Sequence, residues 1–558
     1  MSQTAGRSGV SAVAALLDRL VAQFEGPYDF LRELVQNALD AGSDRAEVAL
    51  DVHPGEEADP DEVVFELRVV DAGAGMDEAI IDGGLTRLFA STKADDRTMA
   101  GGFGIGFVSV FAWQPDAVVV QTGRAGEAWE LTFYPDRRFE KRPLAEPFEG
   151  TTVTLLRRGR APERAQIAEA VRDSLWRWCR FCRLELSFED VTSGEGPELI
   201  QDAPAPPGPL AVVEAQADSA IHVAFAVPPE AVLLRRGLVL SQGTAADLLA
   251  DLQPPLGPTL EHLQVWADSP NLRTTMARDK VVDDPGRAAV LGKIAQAIAG
   301  LRERLVERTA EAAAEPGPWT RARHDHYAYL HAHLARERGH LGAGLEGRAL
   351  LRDLAGAAVS LAQLQALARP VLWAPLASGE AAPDRLLAAA AAAGVPVLAA
   401  ETGDLEWLRR LVEGTGLMLA ELGRSCALVR EAAGEAESLR AAVEAGLTAA
   451  GAPVRLHVAA AEGEAGPRGG VGIELGRGAE GVLVLWTGQS VAAATWRTAP
   501  LWLDAGEPLL RAAAKSHAAE PRAASRGLAL AVRAQLIEAP TPERVAEAID
   551  AAVTGAKN

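Results

Sequence analysis

Glu33, Asn37 and Asp40, in the run RELVQNALDAG at 32–42, are three side chains able to do chemistry, placed close together. Offsets of four and three put them on one helix face, with Leu31, Leu34, Val35 and Ala38 mainly on the other side. An amphipathic helix needs a polar face in any case, so the stripe alone reads as solvated surface. Further along, Asp71-Ala-Gly73-Ala-Gly75-Met76 puts a carboxylate at a strand's end, followed by two glycines. That suits a tight turn where a ligand approaches the backbone. Gly101-Gly-Phe-Gly104-Ile105-Gly106-Phe107 then opens an apolar helix. Such a GxxGxG can lay backbone N–H groups and a helix N-terminus against phosphates. It is neither the Rossmann order nor a GxxxxGK loop. Between the two lies Ser91-Thr92-Lys93, with one of only six lysines, and Gly150-Thr151 precedes the strand TVTLL. Each piece is modest by itself; their order and spacing carry the signal.

The elements that must hold these residues follow from periodicity. Residues 10–43 read as two helices, and 46–53 and 63–71 alternate like strands of a half-exposed antiparallel sheet. A glycine-rich stretch covers 72–106, and strands return at 117–122, 129–134 and 151–156. A helix near 162–178 and a strand at 183–189 close this block, and SGEGPELIQDAPAPPGP at 193–209 is a linker by composition. A second α/β block runs to about 315 and a mostly helical piece to 370. PVLWAPL and VPVLAAE suggest another small sheet with helices, to about 415. The last 140 residues mix helix and strand, with helices at 506–537 and 542–554. The fold class is α/β (α+β), with domains at 1–195, 211–418 and 419–558 and a linker at 196–210.

At 558 residues the chain is too long for one core. A net charge of −21 without a concentrated basic tract argues against a protein that grips a phosphate backbone, so no nucleic-acid partner is expected. The start, MSQTAGRSG, lacks an apolar signal core. The longest apolar stretch, Leu386 to Ala400, reads as a buried helix followed by a strand. A cytoplasmic protein without membrane contact is the expectation. Three cysteines make no disulfide framework, and Cys179 and Cys182 in WRWCRFCRLELSF read as packed beside aromatics. The histidines at 324, 326, 331, 333 and 340 recur at seven, without the i,i+4 ligand pattern of a metal site, and read as a solvated helix face.

FLRELVQNALDA, VVDAGAGM, GGFGIGFVSVF and GTTVTLL, in that order, resemble the motifs of the ATPase superfamily of gyrase, the 90-kDa heat-shock chaperone, histidine kinases and MutL. The similarity is closest to the chaperone branch. The resemblance implies a Bergerat-type ATP-binding α/β sandwich in which Asp71 accepts the adenine amino group. Gly75 and Thr151 would hold a water at the ring, and Asn37 would give a neutral oxygen ligand to magnesium. Glu33 would orient and deprotonate the attacking water. Gly101, Gly104 and Gly106 would border the phosphates and hinge a lid over 77–106. Asp40, Met76, Lys93, Ile105 and Phe107 would complete the ATP contacts.

Downstream, LLRRGLVL at 233–240 and WADSPNLRTTMARD at 266–279 resemble that chaperone's middle domain. There a D-S-x-x-L run leads to an arginine loop reaching the γ-phosphate, and Asp268, Ser269, Leu272 and Arg278 match in register. Thr275 and Asp279 depart from the family's Asn and Glu, and no glutamine follows at 282 or 283. LWLDAGEPLLRAAA and GLALAVRAQLIE look like its C-terminal dimerisation elements. The chain thus resembles a shortened, divergent bacterial member. This implies a homodimeric clamp joined through its C-terminal domain, hydrolysing ATP to open and close on client proteins in the stress response. The alternatives are a DNA-linked ATPase of the MutL or gyrase kind, which predicts a basic cleft, and a nucleotide-gated scaffold without turnover. A histidine kinase would need a phosphoacceptor helix ahead of Glu33.

Overall fold

A computed structural model describes residues 26–55, 61–86, 105–136, 138–203, 210–216, 219–252, 256–275, 280–317, 319–367, 369–375, 383–432, 434, 436–460, 470–478, 481–487, 491 and 493–555. The fold is mixed α/β, and the chain divides into two compact units, Met1–Leu301 and Arg302–Asn558. Among the described residues, no helix is long and apolar enough to cross a membrane.

The first unit opens with α1 (Phe30–Asp40), which buries Phe30, Leu31, Leu34, Val35 and Ala38. Its apolar stripe packs on an eight-stranded sheet of β1 (Arg45–Pro54), β2 (Glu62–Asp71), β3 (Ala117–Arg124), β4 (Glu127–Phe133), β5 (Phe139–Pro143), β6 (Gly150–Arg160), β7 (Glu185–Asp190) and β8 (Glu198–Leu199), in the order β5-β4-β3-β6-β2-β1-β7-β8. Alternation along the strands supplies the inner face: Val48 and Leu50, Phe65, Leu67 and Val69, Val118 and Val120, Val153 and Leu155 are all buried. The layer over that face is α1, α2 (Arg164–Cys179) and the turns of helix at Ile105–Trp113. Every expected strand of this block is present, at slightly different limits. The linker expectation needs correction, because Glu198–Leu199 pairs with β7 and Ile200 is buried in the core. Cys179 and Cys182 are buried there too. The helix expected from residue 10 to about 25 lies outside the described residues.

A five-stranded sheet follows, of β9 (Ala211–Gln216), β10 (Ser219–Phe225), β11 (Glu230–Arg235), β12 (Leu238–Gly243) and β13 (Leu263–Asp268), ordered β12-β11-β13-β10-β9. Phe181 packs in one cluster with Val232, Leu234, Val239 and Trp266 of this sheet, with Trp178 against its edge. The long helix α3 (Pro285–Ala314) succeeds it.

In the second unit, α4 (Arg321–Glu337) carries the histidine cluster, and here the solvated-face expectation fails. His324, His331 and His333 are buried. A seven-residue recurrence shows that they share a face but not which way that face points. His324 Nε2 meets Asp404 Oδ2 at 2.7 Å, and the His331 ring stacks on Trp407 at 4.4 Å. The expected small sheet from PVLWAPL and VPVLAAE is three parallel strands: β14 (Val371–Ala374) between β15 (Val397–Ala399) and β16 (Leu419–Glu421). The helix Asp384–Ala392 precedes β15, as Leu386–Ala400 suggested. A five-stranded sheet spans residues 426–504, and a single apolar cluster runs from Leu372 to Val553. The helix read at 506–537 is two, Pro508–His517 and Pro521–Ala534, because Pro521 has no N–H to continue the first. Leu510, Leu528, Val532 and Leu536 pack into that same cluster.

Candidate functional site

The pairing register brings together side chains far apart in sequence. Asp71, last in β2, lies opposite Thr151 of β6, and Thr151 lies opposite Thr122 of β3. Three polar side chains therefore stand in a row at one end of the sheet's central strands. Asp71 Oδ1 accepts from the backbone N–H of Gly73 at 2.9 Å, which caps the turn that the carboxylate begins. Burial pushes the Asp71 carboxyl above its ordinary range, with the Gly73 N–H opposing.

The turn 72–76 is pinned from both sides. Ala72 N donates to Ser43 Oγ at 3.0 Å and Ala74 N to Ala41 O at 3.0 Å, tying it to the end of α1. Met76 N donates to Thr122 Oγ1 at 2.9 Å, tying it to β3. The Thr122 and Thr151 hydroxyls lie 3.1 Å apart. Gly75 has φ +62°, and a Cβ there would collide with Gly123 O and lie 2.9 Å from Gly150 O. The second glycine of DxGxG is thus required both by conformation and by room.

Above this turn lies a cavity of about 290 Å³. Its polar groups are Gln36, Asn37, Asp40, Asp71, Arg124 and Thr151, and Val69, Met76, Leu85, Phe107, Val120 and Val153 are among its apolar walls. Apolar walls beside the Asp71 carboxylate suit a flat heterocycle that presents an N–H donor to it.

Of the residues read from sequence, Asn37, Asp40, Asp71, Gly75, Met76, Gly106, Phe107 and Thr151 line this one cavity. Glu33 stands one turn before Asn37 on α1, but it is only 1% exposed and does not line the cavity. Arg32 Nε is 3.8 Å from Glu33 Oε1, and the Arg32 guanidinium sits 4.6 Å from the centre of the Trp178 ring. Lys93, Gly101, Gly104, Arg278 and the side chain of Ile105 lie outside what is described. The neutral oxygen of Asn37, at an exposed position in the cavity, fits a magnesium ion that takes its other ligands from phosphates and water.

Sequence reasoning passed over Ser43, Thr122, Arg124 and Arg236. Ser43 and Thr122 carry no local signal: a hydroxyl in the connection from α1 to β1 or on a strand is ordinary, and only the fold brings each to the turn. Arg236, at the tip of the β11–β12 hairpin, donates to Asp40 Oδ1 at 2.6 Å. Nothing in its local sequence points to a residue two hundred positions earlier.

Residues 28–143 match the family model described as histidine kinase-, DNA gyrase B-, and HSP90-like ATPase. The matched stretch contains Glu33, Asn37, Asp40, Asp71, Gly75 and Phe107 and ends before Thr151. No curated protein matches the chain.

Proposed function

We propose, from the premise that residues 28–143 are an ATP-binding domain of the histidine kinase, gyrase B and HSP90-like superfamily, that the protein is an ATP-hydrolysing molecular chaperone. It works as a homodimeric clamp that opens and closes on client proteins. The observation that carries the nucleotide reading is the convergence of Asn37, Asp40, Asp71, Gly75 and Thr151 on one cavity. In this reading Asp71 accepts the adenine amino group, and the Thr151–Thr122 pair holds a water beside the ring. Asn37 supports magnesium, whose chemistry is to neutralise phosphate charge. Glu33 activates the attacking water, Lys93 and the loop of Gly101, Gly104 and Gly106 border the phosphates, and Arg278 meets the γ-phosphate as charge develops.

The chaperone branch rests on the resemblance of WADSPNLRTTMARD to that family's middle-domain loop. Ser269 and Leu272 of this run are buried, so the loop starts from a fixed base. Dimer formation through residues 419–558 is supported by two large apolar side chains left 45% and 48% exposed, Leu509 on the helix Pro508–His517 and Ile537 in the turn after Pro521–Ala534.

A second reading, a nucleotide-gated scaffold without turnover, is favoured by one observation. Glu33 is enclosed beside Arg32 and does not line the cavity, so the group expected to activate water does not face the nucleotide. Phosphate release separates the two. For the full chain with ATP and magnesium, the chaperone reading expects steady release that falls about a hundredfold in Glu33→Ala while ATP binding is kept. It also expects ATP-dependent suppression of aggregation of a heat-unfolded test enzyme. ATP binding without phosphate release establishes the scaffold, and release without any effect on aggregation removes the chaperone assignment.

A further inference from the structure

The first unit holds a second cavity, lined by none of the residues that line the nucleotide cavity. A space of about 510 Å³ lies between the segment 181–203 and the five-stranded sheet. The pattern of that sheet is informative. Trp266 pairs with His222 and Asp268 with Ala220, so all four lie on one face, the face that meets Phe181. The opposite face carries Ile221, Val223, Val265 and Ala267, all buried. A sheet face covered by another layer is ordinarily apolar. Here it ends in a carboxylate.

Asp268 is under-satisfied. Its Oδ1 is enclosed and has no hydrogen-bond partner. Its Oδ2 accepts from Gly237 N at 3.1 Å, and Arg183 Nη2 stands 4.0 Å away, beyond hydrogen-bond range. Burial raises its pKa, opposed by Arg183 and the turn N–H groups of Arg236 and Gly237. An ionised carboxylate offers about four acceptor sites. Trp266 and Phe181 give the cavity an aromatic wall, and Asp202 adds a second carboxylate against the single guanidinium of Arg183.

The same carboxylate holds the turn that reaches the nucleotide cavity. Arg236 and Gly237 form the two-residue turn between β11 and β12, with φ +53° and +82°. A Cβ at Gly237 would collide with Phe181 O, so the turn is seated against that wall. A non-glycine residue with φ above zero is held there by its surroundings. Asp268 holds Gly237 N from beneath, and Arg236 thereby meets Asp40 on the nucleotide cavity.

We propose that this second cavity is an effector site for a small organic cation, an aromatic amidine or amine, whose head group binds Asp268 and whose ring lies on Trp266. A head group that spans both carboxylate oxygens takes Oδ2 from Gly237 N, loosens the turn and draws Arg236 away from Asp40. Asp40 is then an uncompensated negative charge beside the phosphates, so the ligand weakens nucleotide binding. By linkage, nucleotide weakens the ligand by the same factor. The coupling, but not the site, rests on the ATP reading above.

The test is calorimetry of the full chain with benzamidine, alone and then with a non-hydrolysable ATP analogue. The expected results are saturable one-to-one binding and nucleotide affinity reduced about fivefold or more at saturation. Asp268→Asn keeps an acceptor for Gly237 N and should bind benzamidine at least tenfold more weakly with an unchanged melt. Ala203→Trp, at an exposed position on the cavity's edge, should block binding without touching the core. Arg236→Ala should bind benzamidine as the wild type does, yet show no effect on nucleotide. Failure of wild type to saturate, or equal binding by both cavity variants, overturns the site. Persistent coupling in Arg236→Ala overturns the route. If the analogue itself fails to bind, the ATP reading falls, while the benzamidine titration still decides the cavity.

Discussion

Asp71→Asn separates a ligand-binding carboxylate from a structural one, because the two roles predict opposite changes in stability and affinity. In the fold Asp71 Oδ1 serves one visible purpose, accepting from Gly73 N at 2.9 Å. A carboxamide oxygen serves that purpose equally well. The carboxylate also bears a desolvation penalty, which is why its pKa is raised. The sign follows directly: the folded state holds this proton to a higher pH than the unfolded chain. Between the ordinary value of 3.8 and the raised one, stability therefore falls as pH rises. Asn removes that penalty, so the empty protein should melt at the same temperature as wild type or higher. Adenine binding changes the other way. A hydrogen bond to a charged acceptor contributes about 1.5–3 kcal/mol, and facing a donor with a donor costs about 1–3 kcal/mol more. Together a loss of about 2.5–6 kcal/mol is a weakening of roughly seventyfold to some twenty-thousandfold in Kd. Calorimetry with ATP and a thermal melt on the same preparation measure both. A variant that melts lower and binds ATP like the wild type would refute the assignment, since Asp71 would then be a turn cap only.

Gly75→Ala should lower the melting temperature of the ATP-binding block by several degrees and abolish nucleotide binding. Its φ of +62° costs a side chain about 1–2 kcal/mol, and the Cβ meets Gly123 O and Gly150 O; hydrogen exchange at 72–76 would locate the damage. His331, fully buried with its Nε2 against Leu350 O at 3.0 Å, has its pKa pushed down by burial to about 3. The stability it protects is present above 6.5 and is lost as pH falls toward 3, at about 1.4 kcal/mol per unit. Urea unfolding between pH 6.5 and 5 should show that slope in the wild type and a shallower one in His331→Gln. Arg278→Ala should slow ATP hydrolysis about tenfold to a hundredfold with little change in ATP affinity, less than a full arginine finger supplies. If the variant instead melts lower at an unchanged rate per folded molecule, Arg278 serves its own domain.

The legible part of the structure was whatever repeats locally. Strict alternation in AEVALDVH and VVFELRVV gave both strands and their buried faces. Asn37 and Asp40 of the polar stripe, Asp71, Gly75 and Met76 of the DxGxG run, and Gly106 and Phe107 of the GxxGxG run line one cavity, whereas Glu33 of the same stripe does not. Register is what local pattern does not contain. Asp71, Thr151 and Thr122 are neighbours only because β2, β6 and β3 pair as they do, so Thr151 was reached by resemblance and Thr122 was missed. The histidines of α4 were misjudged for a related reason. Periodicity defines a face, but the burial of His331 depends on Trp407 and Leu350 arriving from elsewhere in the chain. Likewise the linker composition of 193–209 hid a two-residue edge strand, since a single ladder with β7 suffices to order it.

α1 is held at both ends by groups that also contact the five-stranded sheet, and this bears on how its stripe divides. Near its start, Arg32 lies on Trp178, which also packs against the Phe181–Trp266 cluster. At its end, Asp40 is held by Arg236 from the β11–β12 turn. The two contacts differ in strength. An exposed pair such as Asp40–Arg236, with side chains 47% and 54% exposed, contributes less than about 1 kcal/mol. A desolvated cation–π contact such as Arg32–Trp178 contributes about 2 kcal/mol. Movement of the sheet would therefore break the Asp40 end first and the Arg32 end only with larger displacement. Asn37, between them, stays on the helix's cavity face throughout, while Glu33 stays beside Arg32 until the stronger contact yields. On the proposed ATPase reading, binding and hydrolysis would then respond to the sheet separately: affinity through Asp40 at small displacements, and the rate through Glu33 at large ones.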